Sequence, residues 1–309
     1  MRNLLILLGT VSVLASCNLN YDRSESGIIY KITGAKKKDD PLKVGSMVKY
    51  HISFSFPERD TVLYSTYSNV PQYATIDSSV LGRYNWLELL IGRHPGNVIE
   101  FSYSIDSLAK RNMQNGYDKV FGRRDMVKGK ITILQSFTSP EDMQNDQIAE
   151  VKSQQERERN QLKNWILRKN IKATESPLGM YVQVQEKGNG PAVDTGMTVL
   201  VNYTGRFLKD GKVFDSNTDP KFNRLGAIPV TIGKGGILPG FEAGLRYFNK
   251  GGKGKLYLPS FLAYGAQGSL PTIPPYASLI FDVEITDIVP AAPPQQDRRS
   301  PVNDDGHGH

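Results

Sequence analysis

Cysteine is nearly absent: one thiol, Cys17, in 309 residues. No disulfide can therefore form within the chain, and a cysteine-built metal centre is excluded. Histidine is almost as scarce, with four residues and none between His94 and the terminal pair His307 and His309. No histidine–carboxylate cluster offers itself for nucleophilic or metal-assisted chemistry, and the terminal pair reads as tail composition. No metal and no cofactor are expected. Lysine and arginine outnumber the acids, 38 to 31, without gathering into a basic stripe. The densest run, Lys36–Lys38, is followed at once by Asp39 and Asp40, so nucleic acid is not the expected partner. A long hydrophobic run is missing too: the apolar stretch Leu4–Val13 is too short for a permanent bilayer span.

What is there begins with "MRNLLILLGTVSVLASC", a single positive charge at Arg2, the apolar stretch and a small-residue end. That is the pattern of a cleaved leader. Ala15 and Ser16 ahead of Cys17 resemble the lipobox of bacterial lipoproteins. The resemblance implies that residues 1–17 are a signal peptide, that the Cys17 thiol is acylated, and that the mature protein is anchored to a membrane through it. With Asn18 after the cysteine and no acid there, the expected site is the cell envelope, at the outer membrane facing the periplasm. Residues 18–26 read as a polar tether.

Period-two alternation then starts at Ile28, Tyr30 and Ile32 and returns at Val48, Tyr50, Ile52, Phe54 and Phe56, at Val98–Tyr103 and at Ile131–Phe137. These are half-buried strands, and "NWLELLIGRHPG" among them has the spacing of one short helix. Residues 27–138 thus form a first α+β unit. From Ser139 the chain changes. Ser-Pro-Glu-Asp provides a cap, a proline for the first turn and two acids at the positive helix end, and no glycine or proline follows until Pro177. Residues 139–175 are expected to be a long, mostly solvated helical linker, a spacer in preference to a dimerisation arm, because "KSQQERERNQ" offers almost no apolar stripe. Strand patterns resume over residues 176–289 in the order of the first unit, and residues 290–309 are proline-rich and polar, as a disordered tail would be.

The second unit carries "VNYTG" at Val201–Gly205, "DGKVFDS" at Asp210–Ser216, "ILPGFEAGL" at Ile237–Leu245, "LAYG" at Leu262–Gly265 and "IPPYASLIFDVE" at Ile273–Glu284. In that order these segments resemble the FKBP family of peptidyl-prolyl cis-trans isomerases. The resemblance implies an antiparallel sheet curled around a short helix, no cofactor, and proline-containing unfolded or extended polypeptides as partners. It places Tyr203, Phe214, Asp215, Val230, Ile237, Leu238, Phe241, Tyr264, Ile273 and Phe281 around a proline pocket. The residues support this independently. Pro239 suits a first helical position, so the amides near Leu238 lie at a helix start where they lack internal partners. A hydroxyl or carboxylate such as Tyr203, Asp215 or Tyr264 is costly to bury as mere filler. Phe241 stands where many relatives have tryptophan, and Ile228 where an aromatic often lines the wall, which changes the pocket's shape and not its dryness. The segment Asn217–Ala227 is longer than the compact family pattern. The alternative for the same pocket is a non-catalytic peptide-binding chaperone or scaffold lipoprotein.

"VLVNYTGRFLKDGKVFDS" from Val199 overlays "VKYHISFSFPERDTVLYS" from Val48 without a gap, and four of the eighteen positions are identical. The first unit keeps the apolar frame but has Ile52 and Tyr64 where the second has Tyr203 and Asp215. It reads as a degenerate domain of the same family that has lost its site, or as a merely similar strand–turn–strand unit. The expected architecture is two FKBP-like α+β domains joined by a long helix.

Overall fold

The computed structural model describes residues 21–34, 40–111, 121–122 and 124–289. Cys17 with its leader, residues 18–20 of the tether and the proline-rich tail lie outside the described residues. By its contacts the chain divides into two units, one ending at Val151 and the other beginning at Lys152.

The first unit runs β1 (Asp22–Arg23), β2 (Ile29–Thr33), β3 (Met47–Phe56), β4 (Thr61–Ser65), β5 (Gln72–Thr75), β6 (Val98–Ser104), α1 (Ile105–Lys110) and β7 (Met126–Phe137). Its antiparallel sheet has the order β1-β2-β6-β7-β3-β4, with β5 pairing β3 further along. The alternation in β3 turns Val48, Tyr50, Ile52 and Phe56 into a core that also holds Leu90, Ile99, Phe101, Ile131 and Ile133. The expected short helix is a single 3₁₀ stretch, Trp86–Leu90, capped by the Asn85 side chain accepting the Leu87 N–H at 3.0 Å. Gly92 and Pro95 close behind it leave no room for further α-helical turns.

The long helix α2 spans Pro140–Arg168. Ser139 caps it, its Oγ accepting the Asp142 N–H at 3.1 Å and donating to the Asp142 carboxylate at 2.7 Å. This helix is mostly exposed, as its composition suggests, but it has a few buried positions. Within the first unit, buried Lys49 of β3 is paired with Asp146 at 2.8 Å and Glu150 at 2.7 Å. Within the second, Gln154, Glu158, Leu162 and Ile166 are all buried. Leu162 and Ile166 form a small cluster with Tyr181 and Tyr257, and the Trp165 ring lies 5.8 Å from that of Tyr257. Each buried aliphatic side chain of this kind contributes about 1.5–3 kcal/mol, enough to fix the last turns of α2 to the sheet.

The second unit continues with β8 (Thr174–Glu175), β9 (Tyr181–Glu186), β10 (Thr198–Phe207), β11 (Val213–Ser216), β12 (Ile228–Thr231), α3 (Pro239–Leu245), β13 (Lys253–Leu258) and β14 (Leu279–Val289). Its sheet has the order β8-β9-β13-β14-β10-β11, with β12 pairing β10. Strand for strand this is the order of the first unit, and the irregularities coincide as well. The bulge between Leu200 and Val201 in β10 has its counterpart between Lys49 and Tyr50 in β3, and that between Gly205 and Arg206 has its counterpart between Phe54 and Ser55. The eighteen-residue overlay therefore places structurally equivalent strands in register. Both units are α+β, each with one antiparallel sheet and few helical turns.

Candidate functional site

In the second unit the apolar sides of β10, β14 and α3 meet over a set of aromatic rings. Phe241, in the first turn of α3, and Phe281, in β14, are both buried, with ring centroids 5.1 Å apart at 80°. Tyr203 of β10 meets Phe241 edge-on at 6.0 Å and Phe281 at 6.2 Å. Phe214 of β11 closes the row, perpendicular to Phe281 at 5.8 Å. Edge-to-face pairs of this kind hold the rings in one arrangement. Gly205 makes that row possible: it lies opposite Phe281 in the β10–β14 register, and a methyl group there would come within 2.5 Å of the Phe214 ring.

A polar edge borders the rings. The Tyr203 hydroxyl donates to the Asp215 carboxylate at 2.7 Å, and Arg224 pairs with the same oxygen at 3.4 Å from a largely exposed position. Burial, then the Asp215 hydrogen bond and charge, push the Tyr203 phenol up to about 12. Tyr264 is also pushed up, by burial first and by the charge of Asp215. Both hydroxyls are therefore neutral donors throughout the physiological range. Leu238 precedes α3 with Pro239 at its first turn, and no side chain caps this start, so its N–H groups are available to a carbonyl.

Eight of the ten residues expected around the pocket, Tyr203, Phe214, Val230, Ile237, Leu238, Phe241, Tyr264 and Phe281, share one apolar cluster. Asp215 joins them through the Tyr203 hydroxyl. Ile273 is buried, yet it belongs to a separate turn in which it exchanges backbone hydrogen bonds with Ser269, both at 2.8 Å. A groove of about 580 Å³ lies elsewhere in this unit, between Trp165, Phe207, Leu208, Lys212, Pro274 and Tyr276. None of the ten residues lines it. Among the described residues, no group of three or more His, Cys, Asp or Glu is placed to hold a metal ion.

Sequence reasoning missed Asn217. Its carboxamide is buried, accepts the Tyr203 N–H at 2.6 Å and donates to the carbonyls of Val201 and Gly226 at 2.8 and 2.9 Å. It thereby ties the strand carrying Tyr203 to the long segment after Asp215. In the first unit Thr66 does the same, its Oγ1 accepting the Ile52 N–H at 2.9 Å. The signal was one position beyond the overlay, where both units place a residue that can accept a backbone N–H.

The aromatic row itself is rearranged in the first unit. Phe54 stands where β10 has Gly205, and it lies opposite Gly129 where β14 has Phe281. A methyl group on Gly129 would run into the Phe101 ring, which meets Phe54 edge-on at 5.9 Å. One ring has changed strands: the phenylalanine of this pair sits on β3 in the first unit and on β14 in the second. The residues at the places of Phe214 and Asp215, Leu63 and Tyr64, are exposed.

A family model for FKBP-type peptidyl-prolyl cis-trans isomerases matches residues 190–286. The chain is 41% identical over 129 residues to the FKBP-type peptidyl-prolyl cis-trans isomerase FkpA of Escherichia coli strain K12, an alignment covering 40% of this chain and 45% of that one. It is 37% identical over 107 residues to an FK506-binding protein of Neisseria meningitidis serogroup B, covering 35% of this chain and 94% of the relative. A crystal structure of FkpA from Escherichia coli shares 34% identity, with 48% of this chain and 67% of that chain covered and a TM-score of 0.38. The chain thus spans less than half the length of the FkpA sequence it matches.

Proposed function

The chain belongs to the family of FKBP-type peptidyl-prolyl cis-trans isomerases, and on that premise we propose that its second unit isomerises X–Pro bonds in extended or unfolded polypeptides. The observation that carries this is the row of Tyr203, Phe241, Phe281 and Phe214 bordered by the Tyr203–Asp215 hydrogen bond. The X–Pro amide rotates over a barrier of about 18–20 kcal/mol, because resonance must be lost, and takes tens to hundreds of seconds unaided. A planar amide is strongly polar and well hydrated, whereas the twisted form has lost part of that polarity. A dry aromatic pocket gripping the pyrrolidine ring favours the twisted form. The uncapped amides at the start of α3 would receive a substrate carbonyl. Asp215, Tyr203 and Tyr264 would orient the chain by hydrogen bonds, and no proton or covalent bond changes hands.

The test is a pair of assays on the full chain. A proline tetrapeptide should isomerise faster in its presence, and a protein whose refolding waits on proline should refold faster. Slowed refolding with no effect on the tetrapeptide would replace the enzyme by a non-catalytic chaperone or scaffold that merely holds unfolded chains. We further propose that the enzyme assists folding of exported proteins from a lipid anchor on Cys17 in the bacterial cell envelope, on the strength of the leader and lipobox pattern. None of the described helices is long and apolar enough to cross a membrane. The first unit, with the same strand order but with Ile52 and an exposed Tyr64 at the places of Tyr203 and Asp215, is proposed as a degenerate copy that does not catalyse.

A further inference from the structure

Glu158 in the middle of α2 is only 4% exposed. A buried carboxylate is costly unless its oxygens are matched by donors, and the donors here are all uncharged. Oε2 accepts the Ser260 N–H at 2.8 Å, and Oε1 accepts the Ser260 hydroxyl at 2.9 Å and the Gln154 Nε2 at 3.1 Å. Two of the three therefore come from one residue, Ser260, which is itself 1% exposed. Ser260 begins the single 3₁₀ turn Ser260–Leu262. Its carbonyl accepts the N–H of Ala263 and the N–H of Gly265, both at 2.8 Å. Those two amides bracket Tyr264, whose ring belongs to the pocket cluster. Every polar backbone and side-chain group of Ser260 is thus committed, on one side to Glu158 and on the other to the peptide units around Tyr264. The next residue of α2 adds a second hold, the Arg159 guanidinium lying 5.3 Å over the Phe261 ring.

We propose that Glu158 is a positioning residue for the pocket: by fixing Ser260 it sets the turn that presents Tyr264, so that α2 is part of the site's support and more than a connector. The catalytic consequence rests on the isomerase reading, whereas the conformational one does not.

The experiment uses the full chain and compares Glu158→Leu with Glu158→Gln. Leucine removes both acceptors and leaves the Ser260 N–H buried without a partner. Glutamine keeps both bonds to Ser260, its carbonyl accepting the N–H and its amide donating to a hydroxyl that can equally accept, and gives up the bond from the Gln154 Nε2 alone. For Glu158→Leu, kcat/KM on a proline tetrapeptide should fall about tenfold, as a displaced pocket wall requires, and hydrogen exchange at the Ala263 and Gly265 amides should accelerate while that of β10 stays unchanged. Glu158→Gln should return both readings to within about twofold of the wild type. A leucine variant with a lower melting point but wild-type kcat/KM and wild-type exchange at Ala263 and Gly265 would overturn the proposal, and so would a glutamine variant as impaired as leucine. Should Glu158→Leu fail to fold, Ser260→Ala takes its place, with faster Gly265 exchange expected and unchanged exchange overturning the idea. A wild-type chain without isomerase activity would remove the isomerase reading, and the exchange measurement would still decide whether Glu158 fixes the turn.

Discussion

Substituting Gly205 by alanine adds one methyl group at the most crowded point of the aromatic row. The new Cβ would lie 2.5 and 2.8 Å from two carbons of the Phe214 ring and 3.1 Å from the Phe281 ring. Carbon atoms rest at about 3.5–4.0 Å, so Phe214 must retreat by about 1 Å. Phe281, deep in the core, has nowhere to go, whereas Phe214 is carried by β11 at the end of the sheet order and can give. Overpacking of this kind costs about 1–3 kcal/mol, and the stiffer unfolded chain returns about 0.4–1 kcal/mol, because Gly205 is not among the residues with positive φ. The net loss, about 0.5–2 kcal/mol, would lower the melting point by only a few degrees. A wall displaced by about 1 Å costs far more in rate, and kcat/KM on a proline tetrapeptide should fall about 10- to 100-fold. The assay is run well below the melting point, beside Gly129→Ala, whose methyl group would strike Phe101 in the first unit. That variant should lose stability and keep its tetrapeptide rate. A folded Gly205→Ala protein with wild-type kcat/KM would refute the placement of the pocket against Phe214 and Phe281. Equal slowing by both variants would refute the assignment of activity to the second unit.

The Tyr203 phenol, pushed up to about 12 by burial and by Asp215, stays protonated in the fold while an unfolded tyrosine ionises near 10. Its contribution to stability is intact below about pH 10 and is lost as pH rises through about 12, so the absorbance titration of the wild type minus Tyr203→Phe should show its step near 12; a step near 10 would contradict the buried hydrogen bond. Residues 152–289 and the full chain should turn over a tetrapeptide equally, while an unfolded protein should be served several-fold better by the full chain if the first unit tethers clients. Equal rates on both substrates would leave the first unit as scaffold. The wild type should fractionate with the outer membrane and Cys17→Ala should not; recovery of the wild type in a soluble fraction alone would overturn the anchor.

Much of the candidate site was legible because its signals are local. Alternation in β3 and β10 assigns their buried faces, Pro239 marks the start of α3, and the segments around Tyr203, Asp215, Phe241, Tyr264 and Phe281 follow one another in a recognisable order. Ile273, expected with them, is buried in a turn closed by its backbone hydrogen bonds with Ser269. The linker is mostly exposed, as its composition suggests, but its few buried positions were not legible. Gln154 and Glu158 look like surface residues in a polar run, and the partner that buries Glu158 is 102 positions away in sequence.

The sequence by itself determined the periodicities, the helix starts, the repeat and the residue types of the pocket, since each depends on neighbours within a turn or a strand. Only the tertiary structure decided which rings share a space. The exchange of Gly205 and Phe281 for Phe54 and Gly129 conserves apolar character on both strands and is invisible to any pattern read along one of them. It becomes a different arrangement of rings only when antiparallel pairing brings the two positions face to face, because packing is decided by the volume available between strands and not by the hydrophobicity of either.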